Sequence, residues 1–124
     1  MPRFAFFPCA FALLSLGLNT GVALAASYDF LAAPERDLNR VYRLDRTTGE
    51  IGACQYGLKE GAAVGITLCY EPGEGAGPQP ASDYALVASS HEREGGVFRV
   101  DRRTGLMSIC YVLNDKVVCT PPAK

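Results

Sequence analysis

The chain has no tryptophan, one histidine and two methionines among its 124 residues. A lone histidine cannot build a multi-histidine metal centre. It also lacks the partners of a triad: Ser89 and Ser90 are near His91, but neither sits in a Gly-x-Ser-x-Gly setting. An excess of charge of one sign is missing too, since twelve Lys/Arg against thirteen Asp/Glu give a net charge of −1. Nucleic acid demands a basic face, so near-neutrality argues against that partner and against an anionic membrane surface. There is no Cys-x-x-Cys to depress a thiol pKa and no short cysteine pair spaced for zinc. The glycines at 73, 75 and 77 lack the strand-then-helix context of a phosphate-cradling loop. No metal and no cofactor is therefore expected.

The longest apolar run, Phe4 to Leu18, is too short for a membrane span of roughly 20 residues. It follows a positive start at Arg3 and leads to Ala23-Leu24-Ala25, a small-x-small cleavage signal. Residues 1–25 read as a signal peptide removed near Ala25, which sends the mature chain to the periplasm or out of the cell with no stable membrane insertion. Cys9 lies too early, and in the wrong context, for a lipid-attachment cysteine. Residues 26–124 are then a single small domain, of a size that often needs covalent help to stay folded.

Within that domain one stretch is written twice. Val41-Tyr42-Arg43-Leu44-Asp45-Arg46-Thr47-Thr48-Gly49 returns as Val97-Phe98-Arg99-Val100-Asp101-Arg102-Arg103-Thr104-Gly105. Tyr28 to Ala32 matches Tyr84 to Ala88, and Cys54 matches Cys110. Duplicated units of this kind bury apolar faces against each other. The repeats span 28–70 and 84–120. The Pro/Gly-rich stretch 71–82 between them reads as a flexible connector.

Four cysteines remain after export: Cys54, Cys69, Cys110 and Cys119. An even count in an exported chain reads as a disulfide framework. Asn114-Asp115 can supply the positive φ of a two-residue hairpin turn, and centring the turn there sets Cys110 opposite Cys119 in a non-hydrogen-bonded pair. Such a pair lies at the short end of the disulfide range. A four-residue loop over Glu60–Ala63 sets Cys54 opposite Cys69 in the same way. Hairpin register favours these within-repeat bridges over the crosswise alternative, Cys54–Cys110 with Cys69–Cys119.

Val41 to Asp45 and Val97 to Asp101 alternate in polarity, which argues for half-buried strands. Tyr42, Leu44, Phe98 and Val100 are expected on the core side, and Ile51 and Ala53 share their face with Met107, Ile109 and Tyr111 as counterparts. Asp45 and Asp101 open turns that their carboxylates can cap and that Gly49 and Gly105 can close. Each repeat is thus a four-strand antiparallel meander. The fold class is all-β, two duplicated meanders forming a small sandwich or an eight-stranded barrel.

The phrase Val-Tyr-Arg-Leu-Asp-x-x-Thr-Gly-x-Ile resembles the strand–turn–strand of quinoprotein-type β-propeller repeats, whose blades are four-stranded meanders. Where those repeats place a docking tryptophan this chain has Cys54 and Cys110, and two units cannot close a propeller ring. The pattern is also similar to that of small exported bacterial proteins with a duplicated Arg-[Leu/Val]-Asp-x-x-Thr-Gly followed by Cys. Neither resemblance transfers a functional residue.

The most suggestive polar set is Arg43, Asp45 and Arg46 with Arg99, Asp101, Arg102 and Arg103. Its plain reading is turn capping and cross-strand pairing. Its functional reading is a surface whose arginine forks bind a carboxylate, a glycan or a protein partner. No catalytic residue is assigned. The expectation is an exported, non-enzymatic β module that binds a ligand or partner in the cell envelope. The alternatives are a small hydrolase, using His91 or the Asp45–Asp101 pair in a shared pocket, and a structural component whose open sheet edges join a partner.

Overall fold

Eight strands follow one another with no helix among the described residues, which are 1–5, 17 and 26–124 of a computed structural model. The expected leader and its cleavage site fall almost wholly outside them. The first repeat supplies β1 (Tyr28–Ala32), β2 (Arg40–Asp45), β3 (Ile51–Gly57) and β4 (Ile66–Pro72). The second supplies β5 (Tyr84–Val87), β6 (Val97–Asp101), β7 (Met107–Leu113) and β8 (Lys116–Cys119). Each set is an antiparallel meander, as the alternation predicts.

The strands form one sheet in the order β1-β2-β3-β4-β8-β7-β6-β5, curled into a nearly closed barrel. The free sides of β1 and β5 approach without a ladder. Asp29 Oδ2 accepts the Leu86 N–H at 3.3 Å there. Above it the loops after β1 and β5 are tied by Glu35 N–H to Glu94 O at 3.0 Å and by the Arg36–Glu92 ion pair. Below it the Tyr84 N–H donates to Arg46 O at 2.9 Å.

The hairpin chemistry is as expected. Asn114 and Asp115 carry φ of 50° and 62°, the left-handed pair that a two-residue turn demands. Cys110 stands opposite Cys119 and Cys54 opposite Cys69, and both within-repeat disulfides form, with Cα separations of 4.1 and 4.0 Å. The β3–β4 loop runs over residues 58–65, longer than the four residues anticipated, yet symmetric about the same centre, so the register holds.

One joint governs everything else. β4 lies beside β8 in parallel, with Glu71 opposite Lys116 and Pro72 opposite Val117. The second meander thus continues the sheet in reverse strand order while its strands keep their direction. A rigid rotation can reverse the order and keep the direction only by turning the unit over. Equivalent residues of the two repeats must then face opposite sides. The register says the same: Glu71 is two positions past Cys69, whereas Lys116 is three short of Cys119. That offset is odd, and in a strand an odd step changes face.

Burial follows this inversion. In β2, Tyr42 and Leu44 are fully buried and Val41 and Arg43 are exposed. In β6 the pattern reverses: Val97, Arg99 and Asp101 are buried, whereas Phe98 and Val100 are only half-buried. The expectation that Phe98 and Val100 face the core is therefore corrected. In β7 it is Ser108 and Cys110 that point inward, and Met107 and Tyr111 that are exposed. The bridges divide likewise. Cys110–Cys119 is part of the core with Tyr42, Ile51, Val97 and Val117, while Cys69 is exposed on the outer face.

The connector is also pinned rather than free. After Pro72 it runs on along β8, with Gly73 N–H to Val117 O at 2.6 Å and Cys119 N–H to Glu74 O at 2.9 Å. It then crosses the barrel end as a strap, donating from Gln79 and Ser82 to Thr48 and Thr47 carbonyls and accepting the Ile51 N–H on Ala76 O. Ala76 is fully buried. Gly75 (φ 74°) packs so closely on the Cys119 carbonyl that a Cβ would overlap it.

Candidate functional site

Inverting one repeat splits the arginine–aspartate set that the sequence offers as one surface. The two turns themselves remain alike. Asp45 Oδ1 accepts the Thr47 and Thr48 N–H groups at 2.9 and 3.0 Å, and Asp101 Oδ1 accepts those of Arg103 and Thr104 at 2.9 and 3.3 Å. Gly49 and Gly105, at φ of 74° and 77°, close them. These bonds hold both carboxyls below the usual carboxylate range. For Asp45 the Thr48 N–H contributes most. For Asp101 the largest cause is the Ser82 hydroxyl, which donates to Oδ1 at 2.6 Å. Capping accounts for both aspartates, and Asp45 lines none of the clefts described below.

The arginines have different fates. Arg43 lies outside, its guanidinium 5.2 Å from the Tyr28 ring centre, beside a second cleft of about 270 Å³ formed with Phe30 and the Cys54–Cys69 bridge. Arg46, Arg102 and Arg103 are exposed at the turn tips, and no ion pair joins them to a carboxylate among the described residues. Arg99 is inside the barrel and only 3% exposed. Its Nη1 donates to Gly49 O at 2.9 Å and its Nη2 to Gly75 O at 3.0 Å, so one side chain ties β6 to the first repeat's turn and to the strap. Burial lowers its pKa, but an arginine keeps its charge. No carboxylate lies within ion-pair distance of it among the described residues.

Arg99 opens on a cleft of about 290 Å³ at the turn end of the barrel. Ser82 of the strap, Asp101 of β6 and Ser108 of β7 supply polar groups there, while Tyr84, Leu106 and Pro122 supply apolar wall. Ser108 is 3% exposed, and its hydroxyl bonds to no protein group among the described residues. The Tyr84 hydroxyl is committed to Pro80 O at 2.6 Å, and burial, followed by the nearby Asp101 charge, raises its pKa. The cleft therefore offers a desolvated cation, the capped Asp101 carboxylate and the Ser108 hydroxyl on one small surface.

Sequence reading placed Arg99 and Asp101 in the site but missed Ser82, Tyr84 and Ser108. Ser108 lay on the face assigned to solvent, and Ser82 lay in the supposed connector. His91 is exposed in the loop after β5, at the opposite end of the barrel from the aspartates, where its Nδ1 accepts the Arg93 N–H at 3.1 Å. The shared pocket of a hydrolase is thus not assembled from these residues. Among the described residues no group of His, Cys, Asp and Glu has the geometry to hold a metal ion, and no helix is long and apolar enough to cross a membrane. Two disulfides mark an oxidising, extracellular-type environment. No protein-family model matches the chain, and no curated protein or solved structure matches it significantly.

Proposed function

We propose that this chain is an exported, non-enzymatic β module of the cell envelope that binds a small, hydroxylated carboxylate in the turn-end cleft. Arg99 carries the reading. A buried guanidinium that lines a cleft and has no carboxylate partner among the described residues is a ready counter-charge for an incoming carboxylate. Asp101 Oδ2 and the Ser108 hydroxyl add an acceptor and a donor for ligand hydroxyls. Tyr84 and Leu106 give its apolar face a wall. The cleft is at the small end of the ~300–1,000 Å³ typical of ligand pockets, room for about one sugar-acid ring.

A second support is where the polar residues fall. The second repeat turns Arg99, Asp101 and Ser108 inward and the more apolar Phe98, Val100 and Ile109 toward solvent. A local breach of the apolar-inside rule is the expected mark of a functional position. Export rests on Arg3, the apolar run and Ala23-Leu24-Ala25, with delivery to the periplasm or beyond.

The test is a titration of the folded chain, followed by amide NMR, with D-glucuronate, D-glucose and acetate. Saturable shifts at Arg99, Asp101 and Ser108 are expected with glucuronate, and much weaker ones with the other two. Ser108→Val, which replaces the hydroxyl directly opposite Arg99 with a methyl group, should abolish them. Equal response to glucose would mean the guanidinium is not the selector, and no response to glucuronate would end the proposal.

A further inference from the structure

The joint that turns one repeat over also leaves an edge uncovered. Because β8 meets β4 only at Glu71 and Pro72, the stretch from Ile66 to Tyr70 has β3 on one side and, among the described residues, no strand on the other. The Cys54–Cys69 pair, with its short Cα separation, is a non-hydrogen-bonded pair, so the N–H and C=O of Cys69 point away from β3. Every second residue shares that direction. Gly73 shows it directly, since its N–H crosses the joint to Val117 O. Among the described residues, the outward backbone groups of Thr67 and Cys69 therefore have no strand to pair with.

Exposed edges of this kind are commonly guarded by lysine, proline, a bulge or brevity. Gly65-Ile66-Thr67-Leu68-Cys69 has no charge and no proline, and residues 66 to 69 are all exposed. Ile66 and Leu68 are 43% and 38% exposed, on the inner face of an arm that extends past the end of β2. The second repeat has no such arm, because its hairpin closes at Asn114-Asp115.

We infer that this edge pairs with a second copy of the chain, antiparallel and centred on Thr67. The stretch is self-complementary in that register. Thr67 meets Thr67 of the other copy, Ile66 meets Leu68, and Gly65 meets Cys69. No like charges oppose each other, a β-branched pair sits at the two-fold axis, and Ile66 and Leu68 of both copies merge into one covered apolar stripe. Charged residues begin only outside the segment, at Glu60 and Glu71. Five residues a side make an interface smaller than the roughly 1,200 Å² of standard ones, so monomer and dimer exchange with concentration. The arm lies at the far end of the barrel from the Arg99 cleft, and this inference is independent of the ligand proposed there.

Sedimentation equilibrium over a concentration series up to about 1 mM reads it. The folded chain should self-associate to a dimer and no further. Thr67→Pro removes an N–H that does not serve β3 and should abolish association, with the Cys54–Cys69 bridge still found by peptide mapping. Thr67→Glu and Thr67→Lys should each be monomeric alone, and an equimolar mixture should restore the dimer by placing opposite charges at the axis. A strictly monomeric chain overturns the inference. So does a dimer unaffected by Thr67→Pro, or a mixture no more associated than its parts.

Discussion

Tyr42 and Phe98 stand at the same place in the repeat, yet Tyr42 is fully buried with its hydroxyl on Gly95 O at 2.6 Å, and Phe98 is half-buried on the outer wall. The same division separates Leu44 from Val100, Arg43 from Arg99, and the outer disulfide from the inner one. Turn chemistry, by contrast, is copied almost bond for bond. What differs between the repeats is thus their relation to the sheet, not their local conformation. Near-identical segments can take unlike roles when the only change is which face meets the core.

Substitution in equivalent pairs gives the sharpest challenge to this contrast. Tyr42→Ala should cost about 3–5 kcal/mol and Phe98→Ala about 1–2, measured by urea unfolding with the disulfides intact. Equal losses would mean the two strands are not inverted. The bridges give the next largest effect. Chain entropy alone ranks the outer bridge slightly ahead, by about 0.4 kcal/mol, because its cysteines are 15 apart against 9. Burial reverses that order. Cys110→Ala/Cys119→Ala leaves a core cavity and should cost about 4 kcal/mol, against about 3 for Cys54→Ala/Cys69→Ala. Mass spectrometry during mild thiol treatment should show Cys54–Cys69 opening first, since Cys69 is exposed.

The arginines come third. Arg99→Met strands the Gly49 and Gly75 carbonyls and should cost about 2 kcal/mol. Arg43→Met loses an exposed contact with Tyr28, about 0.5–1 kcal/mol at most. The smallest expected difference is in acid. Both turn aspartates are depressed, so the stability they add is complete above the unfolded carboxylate pKa of about 3.9 and is lost as pH falls through their folded values. Ser82→Ala should raise the Asp101 midpoint, because the Ser82 hydroxyl is the largest cause of its depression, and leave Asp45 unmoved. Carboxyl NMR titration reads both.

Much of this architecture was legible because it is local. Alternation names the strands, Asn114-Asp115 fixes a register, and equal distance from a loop centre pairs Cys54 with Cys69 even though the loop proved longer than expected. Orientation was not legible. Val97 to Asp101 alternates cleanly, but a strand pattern says only that two faces differ, and the β4–β8 joint decides which one is inside. Apolarity pointed the wrong way in the second repeat, where Phe98 and Val100 outrank Arg99 and Asp101. The strap was hidden for a related reason: its glycines and prolines exclude a ladder but do not exclude packing, as Ala76 shows.

The odd offset between β4 and β8 bears on how a doubled segment comes to hold two duties. When a segment doubles and both products keep the same surroundings, their duties stay redundant until mutation separates them. Here the flip gives the two copies separate surroundings, so that one position of the repeat is a surface arginine at Arg43 and an interior one at Arg99. Unlike duties for like segments need no difference in their letters, only the turned-over placement that the joint imposes.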